Sequence, residues 1–429
     1  MHLSMSVKNL RRATLALALA GLTAAGTTAA TVSSAATPAH QRPGHHWFTS
    51  WAESQQSQAG RTLDDQSVRM ITHLSQGGSA VRIRIQNTFG STPLTVDAAT
   101  VAESGGDAAL AGAAHRLTFG GHAKVVVPAG GQVWSDPARL ATRPQDDVAV
   151  SLSVPGQVKP GEHGSAFRHN YLSPAGSGDH TKDAAGSAYT QTVDSTYLVS
   201  AVDVLNPKLK GTVVAFGSSV VDGNGSTNCG PGCTELGTNR RWTDDLARRV
   251  VAEAPAGGQV AVANEGIGGT TSAAGCPGMP SSVKGLDALS RLDRDVLQLH
   301  GVTGVIYYYG TNDVGDNCTA QQIMDSYKAV FKRLHAAGLK VYVTPVTPRP
   351  GYTDPQNRAR YTVDTYVKKF GDCAGTCDGV IDFDQVLKDP VKPNSLLAAY
   401  DNGDGIHANI AGQQAIADYI SLPLITPGR

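Results

Sequence analysis

The chain has 429 residues, with 36 basic and 36 acidic side chains and no net charge, so no electrostatic footprint points to nucleic acid. Charged residues make up only 17% and glycines number 48, which excludes a charge-rich disordered chain and suits a loop-rich exported protein. Beyond an N-terminal leader about 390 residues remain, more than one hydrophobic core usually serves, so two domains are expected.

The leader is residues 1–39. Arg11 and Arg12 precede an apolar stretch from Ala13 to Ala25, and small residues follow. This is the pattern of a secretory signal peptide, with cleavage after Ala30, Ala36 or Ala39. The competing reading, an uncleaved anchor, asks a short apolar run to cross a bilayer. No later stretch is long and apolar enough for a membrane helix. The expectation is a secreted, extracellular monomer with no integral membrane span.

Residues 46–206 read as an all-β sandwich or jelly roll. Alternation recurs in Ala80–Asn87 and in Asp147–Val154, with shorter strands at Leu94–Asp97 and Lys124–Val127. Ser173–Ser195 is polar and small, and reads as a long loop. Tyr197–Val204 reads as the last strand, ending at Asn206-Pro207. Trp47, Trp51 and Trp134 fill the sandwich core or a domain interface, or form a sugar-stacking platform; the first reading is favoured. His163, His169 and His180 with Asp179 are spaced too irregularly for a metal site and read as surface-loop residues.

Residues 207–429 change texture. Apolar runs at Thr212–Phe216, Val260–Ala263 and Gly304–Tyr309 fit buried strands of a parallel sheet. Helical stretches at Trp242–Ala252, Leu286–Leu299 and Ile323–Ala337 alternate with them, which makes a three-layer α/β/α sandwich. Each strand ends in small or polar residues: Gly217-Ser218-Ser219, then Asn264-Glu265-Gly266-Ile267-Gly268-Gly269-Thr270, then Gly310-Thr311-Asn312-Asp313. Such ends face the crevice where α/β proteins bind ligands. Arg240-Arg241-Trp242 either clamps an anionic substrate or opens a helix capped by Thr243 and Asp244, with the arginines solvated.

Near the C-terminus, Asp404 stands three residues before His407. An Asp at that spacing can hold one imidazole nitrogen and leave the other to take a proton from a serine. Six cysteines, all beyond residue 228, agree with an oxidising compartment. Local loops closed by Cys229–Cys233 and Cys373–Cys377 are the simplest of the fifteen pairings six cysteines allow. That leaves Cys276 with Cys318, which would tie the loop after the glycine turn to the loop after Asn312. The usual spacing and histidine partners of a zinc site are missing.

These blocks resemble the SGNH hydrolases, the GDSL esterase/lipase family, over residues 210–425. The resemblance implies the SGNH (flavodoxin-like) fold and places the four signature residues on Ser219, Gly269, Asn312 and His407, with Asp404 as the orienting acid. The family's first block usually reads Gly-Asp-Ser; here it reads Gly217-Ser218-Ser219. Acyl transfer is the chemistry implied: Ser219 as nucleophile, His407 as base, and an oxyanion hole from the Ser219 and Gly269 N–H groups and the Asn312 side chain. It needs neither metal nor organic cofactor. The expected substrate is an ester: a lipid, a small ester or an acetylated glycan. The alternatives are a carbohydrate O-acetylesterase, since a jelly roll beside such a domain also resembles some carbohydrate esterases, and a binding protein that keeps the fold without activity. No G-x-S-x-G elbow is present, which disfavours the α/β-hydrolase fold.

Overall fold

The structure, a computed structural model, describes residues 46–255 and 257–426. The expected leader lies outside the described residues.

The β region holds two main antiparallel sheets. In the larger, the central strands Leu63–His73 and Asp147–Val158 pair along almost their whole length. Ala98–Glu103 and His115–Arg116 extend it on one side, Asn170–Leu172 and Gln191–Val193 on the other. The second sheet runs Trp47–Ala52, Val199–Leu205, Val81–Gln86, Gln132–Trp134. Val148, Val150, Leu152 and Val154 project from one face of their strand and meet Ile83, Ile85, Val202 and Val204 in one core. This is the alternation seen in the sequence, since side chains two apart share a face.

Two details differ from expectation. The loop expected at residues 173–195 contains the strand Gln191–Val193. The single strand expected at Tyr197–Val204 is broken at Leu198, whose φ is 64°. That bend lets Thr196–Tyr197 pair with Gly161–His163 while Val199–Leu205 joins the four-stranded sheet.

From Thr212 onward a five-stranded parallel sheet forms in the order Ala261–Gly266, Thr212–Gly217, Val302–Tyr308, Lys340–Val343, Gly379–Val380. Numbered along the chain this is 2-1-3-4-5, the flavodoxin-like order, and its switch point lies between the first and third strands. Both faces are covered. Val213 and Ala215 pack with Leu246 and Val250 of helix Trp242–Glu253 and with Ile416 of helix Ile410–Tyr419. Val214 and Phe216 point the other way, into a core with Leu292, Phe331 and Val363. The expected α/β/α layering follows. One helix departs from expectation: Leu286–Leu299 is split into Ala288–Leu292 and a π-turn, Asp293–Leu297. Arg291 and Asp295 straddle that change and pair at 2.9 Å, both buried.

Strand Ala261–Gly266 is an edge, and exposed edges invite unwanted pairing. The β region covers it. Val262 N–H donates to Ser75 Oγ at 3.0 Å, and Gln76 Nε2 donates to the Val260 carbonyl at 3.1 Å. On the outer face of the four-stranded sheet Thr49, Arg84 and Asp203 are buried too. Near the start of the parallel strands Asp203 accepts from Thr49 Oγ1 at 2.8 Å and pairs with Arg82 at 2.6 Å. Trp47 lies under the Arg82 guanidinium at 4.3 Å and Trp134 against His300 at 4.7 Å. Trp51 packs on the sandwich core. These tryptophans pack in the core and interface, as the favoured reading expects.

Candidate active site

Ser219 opens a helix of one turn, Ser219–Asp222, directly after the strand Thr212–Gly217. The connection is tight. A Cβ at Gly217 would lie 2.2 Å from the Tyr308 carbonyl oxygen and 2.3 Å from Val221 Cγ2, so only glycine fits there. So short a helix leaves most of its carbonyls without helical partners. Side chains supply them. Trp242 Nε1 donates to the Val220 carbonyl at 3.1 Å, Asn264 Nδ2 to that of Val221 at 2.6 Å, and Arg241 Nε to that of Asp222 at 2.6 Å. Just upstream, Arg291 Nη2 donates to the Gly217 carbonyl at 2.6 Å. The turn bearing Ser219 is gripped at both ends by buried donors.

His407 Nε2 lies 2.8 Å from Ser219 Oγ, and its Nδ1 lies 2.6 Å from Asp404 Oδ2. The other Asp404 oxygen accepts the N–H groups of Ile406 and His407 at 2.8 and 2.9 Å. Partial burial raises the Asp404 carboxyl, but these hydrogen bonds outweigh it and hold it below the ordinary carboxylate range. Asn409 then caps helix Ile410–Tyr419 through Gly412 N–H at 3.0 Å. The segment after His407 is therefore a helix start as well as part of the site.

The glycine turn sits against the serine. A Cβ at Gly266 would fall 2.1 Å from Asp222 N, and one at Gly268 would lie 4.0 Å from Ser219 Cβ. Gly269 follows with φ 77°. Asn312, inside the short helix Thr311–Gly315, donates through Nδ2 to the Thr270 carbonyl at 2.9 Å. A carboxamide nitrogen carries two hydrogens, so one stays free. Asp313 accepts the N–H groups of Ser272 and Ala273 at 3.0 and 2.8 Å. Cys276 and Cys318 stand at disulfide distance, their Cα atoms 4.7 Å apart, and join the same two loops. Cys229 with Cys233 and Cys373 with Cys377 are likewise paired. The Cys229–Cys233 ribbon reaches the histidine turn, since Asn228 Nδ2 donates to Asn402 Oδ1 at 2.7 Å.

Behind Ser219 lies a set of residues that sequence reasoning missed. Arg291, almost wholly buried, donates to the Glu265 carbonyl at 2.9 Å and to Ser54 Oγ at 3.2 Å, besides its bonds to Gly217 and Asp295. Ser54 donates in turn to the Glu265 carboxyl, and Arg84 stands 3.5 Å from it. Burial, helped by the charge of Asp295, pushes Glu265 up to about 8. Burial also opposes ionisation of Asp295, yet Arg294 and Arg291 hold it down to about 2. The visible signal was Glu265 itself, a charge closing an apolar strand.

Two sequence readings are corrected here, at His163 and at Arg241. His163 is no surface residue: it is buried, with Nδ1 donating to the Ser54 carbonyl at 2.8 Å and Nε2 to Asp222 at 3.2 Å. His169 and His180 stand apart from it, bonded to Asp194 and Asp183 at 2.8 and 2.7 Å, while Asp179 binds the Thr181 N–H. Arg241 is neither solvated nor a substrate clamp. It precedes the helix, pairs with Glu53 at 3.0 Å and is capped by Asp244 at 3.1 Å, without Thr243. The physical reason is common to these: a second region packs behind the serine and turns surface positions into interior ones.

Residues 215–415 match the model of the GDSL-like lipase/acylhydrolase family. Similar solved structures include a carbohydrate acetylesterase from Sinorhizobium meliloti, at 17% identity over 48% of this chain and 95% of that one, with a TM-score of 0.37. An aryl esterase from M. smegmatis is 18% identical over 48% and 95%, with a TM-score of 0.36. The psychrotrophic esterase EstA from Pseudoalteromonas sp. is 19% identical over 49% and 93%, with a TM-score of 0.35. No curated protein matches the chain. The motif order along the sequence and the family match agree: the chain carries a GDSL-like lipase/acylhydrolase domain over residues 215–415.

Proposed function

We propose that this protein is a secreted serine esterase that hydrolyses carboxylic esters through an acyl-enzyme. One observation carries the reading: a single imidazole lies within hydrogen-bond reach of both a serine hydroxyl and a carboxylate, at 2.8 and 2.6 Å. That is the arrangement a nucleophile, its base and an orienting acid need. Ser219 Oγ attacks the ester carbonyl as its proton passes to His407 Nε2. Asp404 fixes the ring and balances its charge. The oxyanion is met by the Ser219 and Gly269 N–H groups and the free Asn312 N–H, each such donor worth about 3–4 kcal/mol in comparable sites. His407 returns the proton to the leaving alkoxide. Water, deprotonated by His407, then attacks the acyl-serine, and the carboxylic acid leaves as the proton goes back to Ser219.

Export fits the three paired disulfides. Among the described residues no helix is long and apolar enough to cross a membrane. We further propose that residues 46–206 and 207–429 are separate domains sharing one buried interface. Labelling with a fluorophosphonate tests the function directly: the wild type is expected to react at Ser219, and Ser219→Ala to lose both labelling and esterase activity while staying folded. Undiminished activity in Ser219→Ala would sink the reading. A panel of p-nitrophenyl esters beside acetylated xylan separates a carboxylesterase from a carbohydrate O-acetylesterase, and silence on every substrate with no labelling would favour a binding protein.

A further inference from the structure

The turn that carries Ser219 is held from behind by residues belonging to another region of the chain. Strand Trp47–Ala52 of the β region ends, and Glu53 and Ser54 enter the interface. Ser54 touches both Arg291 and Glu265, and Arg291 holds the Gly217 carbonyl before Ser219. Glu53 pairs with Arg241, and Arg241 holds the Asp222 carbonyl after Ser219. His163 joins the two arms, since it donates to the Ser54 carbonyl on one side and to the Asp222 carboxylate on the other. Ser54, Glu53, His163, Arg291 and Asp222 are all buried. At such burial little solvent is at hand to replace one of these bonds when it is lost.

We propose that Glu53, Ser54 and His163 are positioning residues for Ser219, so that the β region completes the active site without touching substrate. The inference rests on Ser219 being the nucleophile. The argument is geometric. The four-residue helix cannot fix its own orientation, because its carbonyls have few internal partners. Trp242 and Asn264 hold its middle carbonyls and two arginines hold its ends, and both arginines take acceptors from the β region, among them Ser54 and Glu53. Removing an acceptor leaves an arginine free to tilt, and Ser219 Oγ drifts from His407 Nε2. A misplacement near 1 Å costs about a hundredfold in rate. Substrate binding has no reason to change, because none of the three residues lies on the open side of Ser219.

The experiment uses the full-length protein with Ser54→Ala, His163→Ala and His163→Gln, and Thr49→Ala as control. Thr49 belongs to the Asp203 network at the opposite end of the same interface. Ser54→Ala and His163→Ala are expected to lower kcat and the rate of fluorophosphonate labelling by about tenfold to a hundredfold, with KM within about twofold and the fold retained by near-UV circular dichroism. His163→Gln, which can still donate to Asp222, is expected to recover part of the loss. Thr49→Ala is expected to lower Tm without changing kcat. Should His163→Ala fail to fold, the loss of one hydroxyl in Ser54→Ala carries the test. Wild-type kcat and labelling in folded Ser54→Ala and His163→Ala would overturn the proposal, as would an equal loss in Thr49→Ala. A wild-type protein that is not labelled at all would instead overturn the reading of Ser219 as nucleophile.

Discussion

The two sides of Ser219 are built on opposite principles. In front stand His407 and Asp404, with side chains 15% and 41% exposed. Their orientation is local: Asp404 bonds to residues two and three further along, and Asp401 braces the same turn through the N–H groups of Gly403 and Gly405 at 2.9 and 2.8 Å. Behind stand Arg291, Glu265, Asp295 and His163, all buried and drawn from segments distant from Ser219 in the sequence, with Asp222 of the serine's own turn among them. In the proposed mechanism the front exchanges protons with water and substrate, which its place at the surface allows. The back exchanges nothing. It only has to keep a short helix from turning, and buried ionic contacts resist that because breaking one strands a charge.

The sharpest test of this division is at the front. His407→Ala is expected to lower kcat/KM by roughly 10⁵-fold or more, and Asp404→Ala by about ten- to a hundredfold less, because orientation and charge balance matter less than proton transfer itself. Both variants should keep the wild-type Tm to within a few degrees, since a partly exposed local turn contributes little to folding. The Asp404 carboxyl, held below its ordinary range by His407 and two N–H groups, stays ionised throughout neutral pH. Stopped-flow esterase assays with thermal melts on the same samples check this. A collapse of the fold in either variant would erase the contrast between the two sides.

At the back the expected effect is on stability, and it depends on pH. Burial works against a charged His163, but the carboxylates of Glu53 and Asp222 and the hydrogen bonds to Asp222 and the Ser54 carbonyl prevail and push it up to about 9. Arg241, bonded to Glu53, is the cation that faces the same pair. The geometry agrees, because a carbonyl and a carboxylate at its two nitrogens require both to be donors. A raised folded-state value means the stabilisation is complete below the ordinary histidine value and is lost as pH rises through about 9. The rise from 6.5 to about 9 corresponds to about 3 kcal/mol. Urea unfolding at pH 6 and pH 10 should therefore show a loss of that order in the wild type beyond the loss in His163→Gln. Equal losses in both proteins would mean that His163 is neutral in the fold.

The same contrast explains what could be read from the sequence. Ser219, Asp404 and His407 were legible because each sits in a short block whose neighbours form its local structure: a strand ending in Gly217, a turn three residues long. The sandwich was legible for a similar reason, since alternation in Asp147–Val154 reports burial on one face directly. What alternation does not report is a second buried face. Arg84 and Asp203 occupy positions that the period assigns to water, and only the packing of two regions makes them interior. Arg291 lies within a stretch that the sequence shows only as helical, and His163 in one that reads as a surface loop. Their partners are Ser54, Gly217 and Asp222, too far along the chain for any spacing rule to pair them.

Ser218 lies on the seam between front and back, and it should matter least. It stands where the family's first block usually carries an acid, is 1% exposed, and its hydroxyl has no partner among the described residues. A buried hydroxyl without a hydrogen bond costs about 1–3 kcal/mol relative to a satisfied one, so Ser218→Ala removes a liability along with one heavy atom. The small void left behind offsets part of the gain. The net expectation is a change between zero and about 1 kcal/mol of added stability. Its backbone carbonyl, which accepts the Val221 and Asp222 N–H groups at 3.0 and 2.9 Å, is unaffected by the substitution, so the turn keeps its shape. Activity is therefore expected to stay within about threefold of wild type, while Ser219→Ala, one residue on, removes it. Denaturant titration and an ester assay on Ser218→Ala measure both quantities. A loss of tenfold or more in kcat with the fold intact would give the Ser218 hydroxyl a role in positioning its neighbour, and would move the boundary between the two sides of the site to include it.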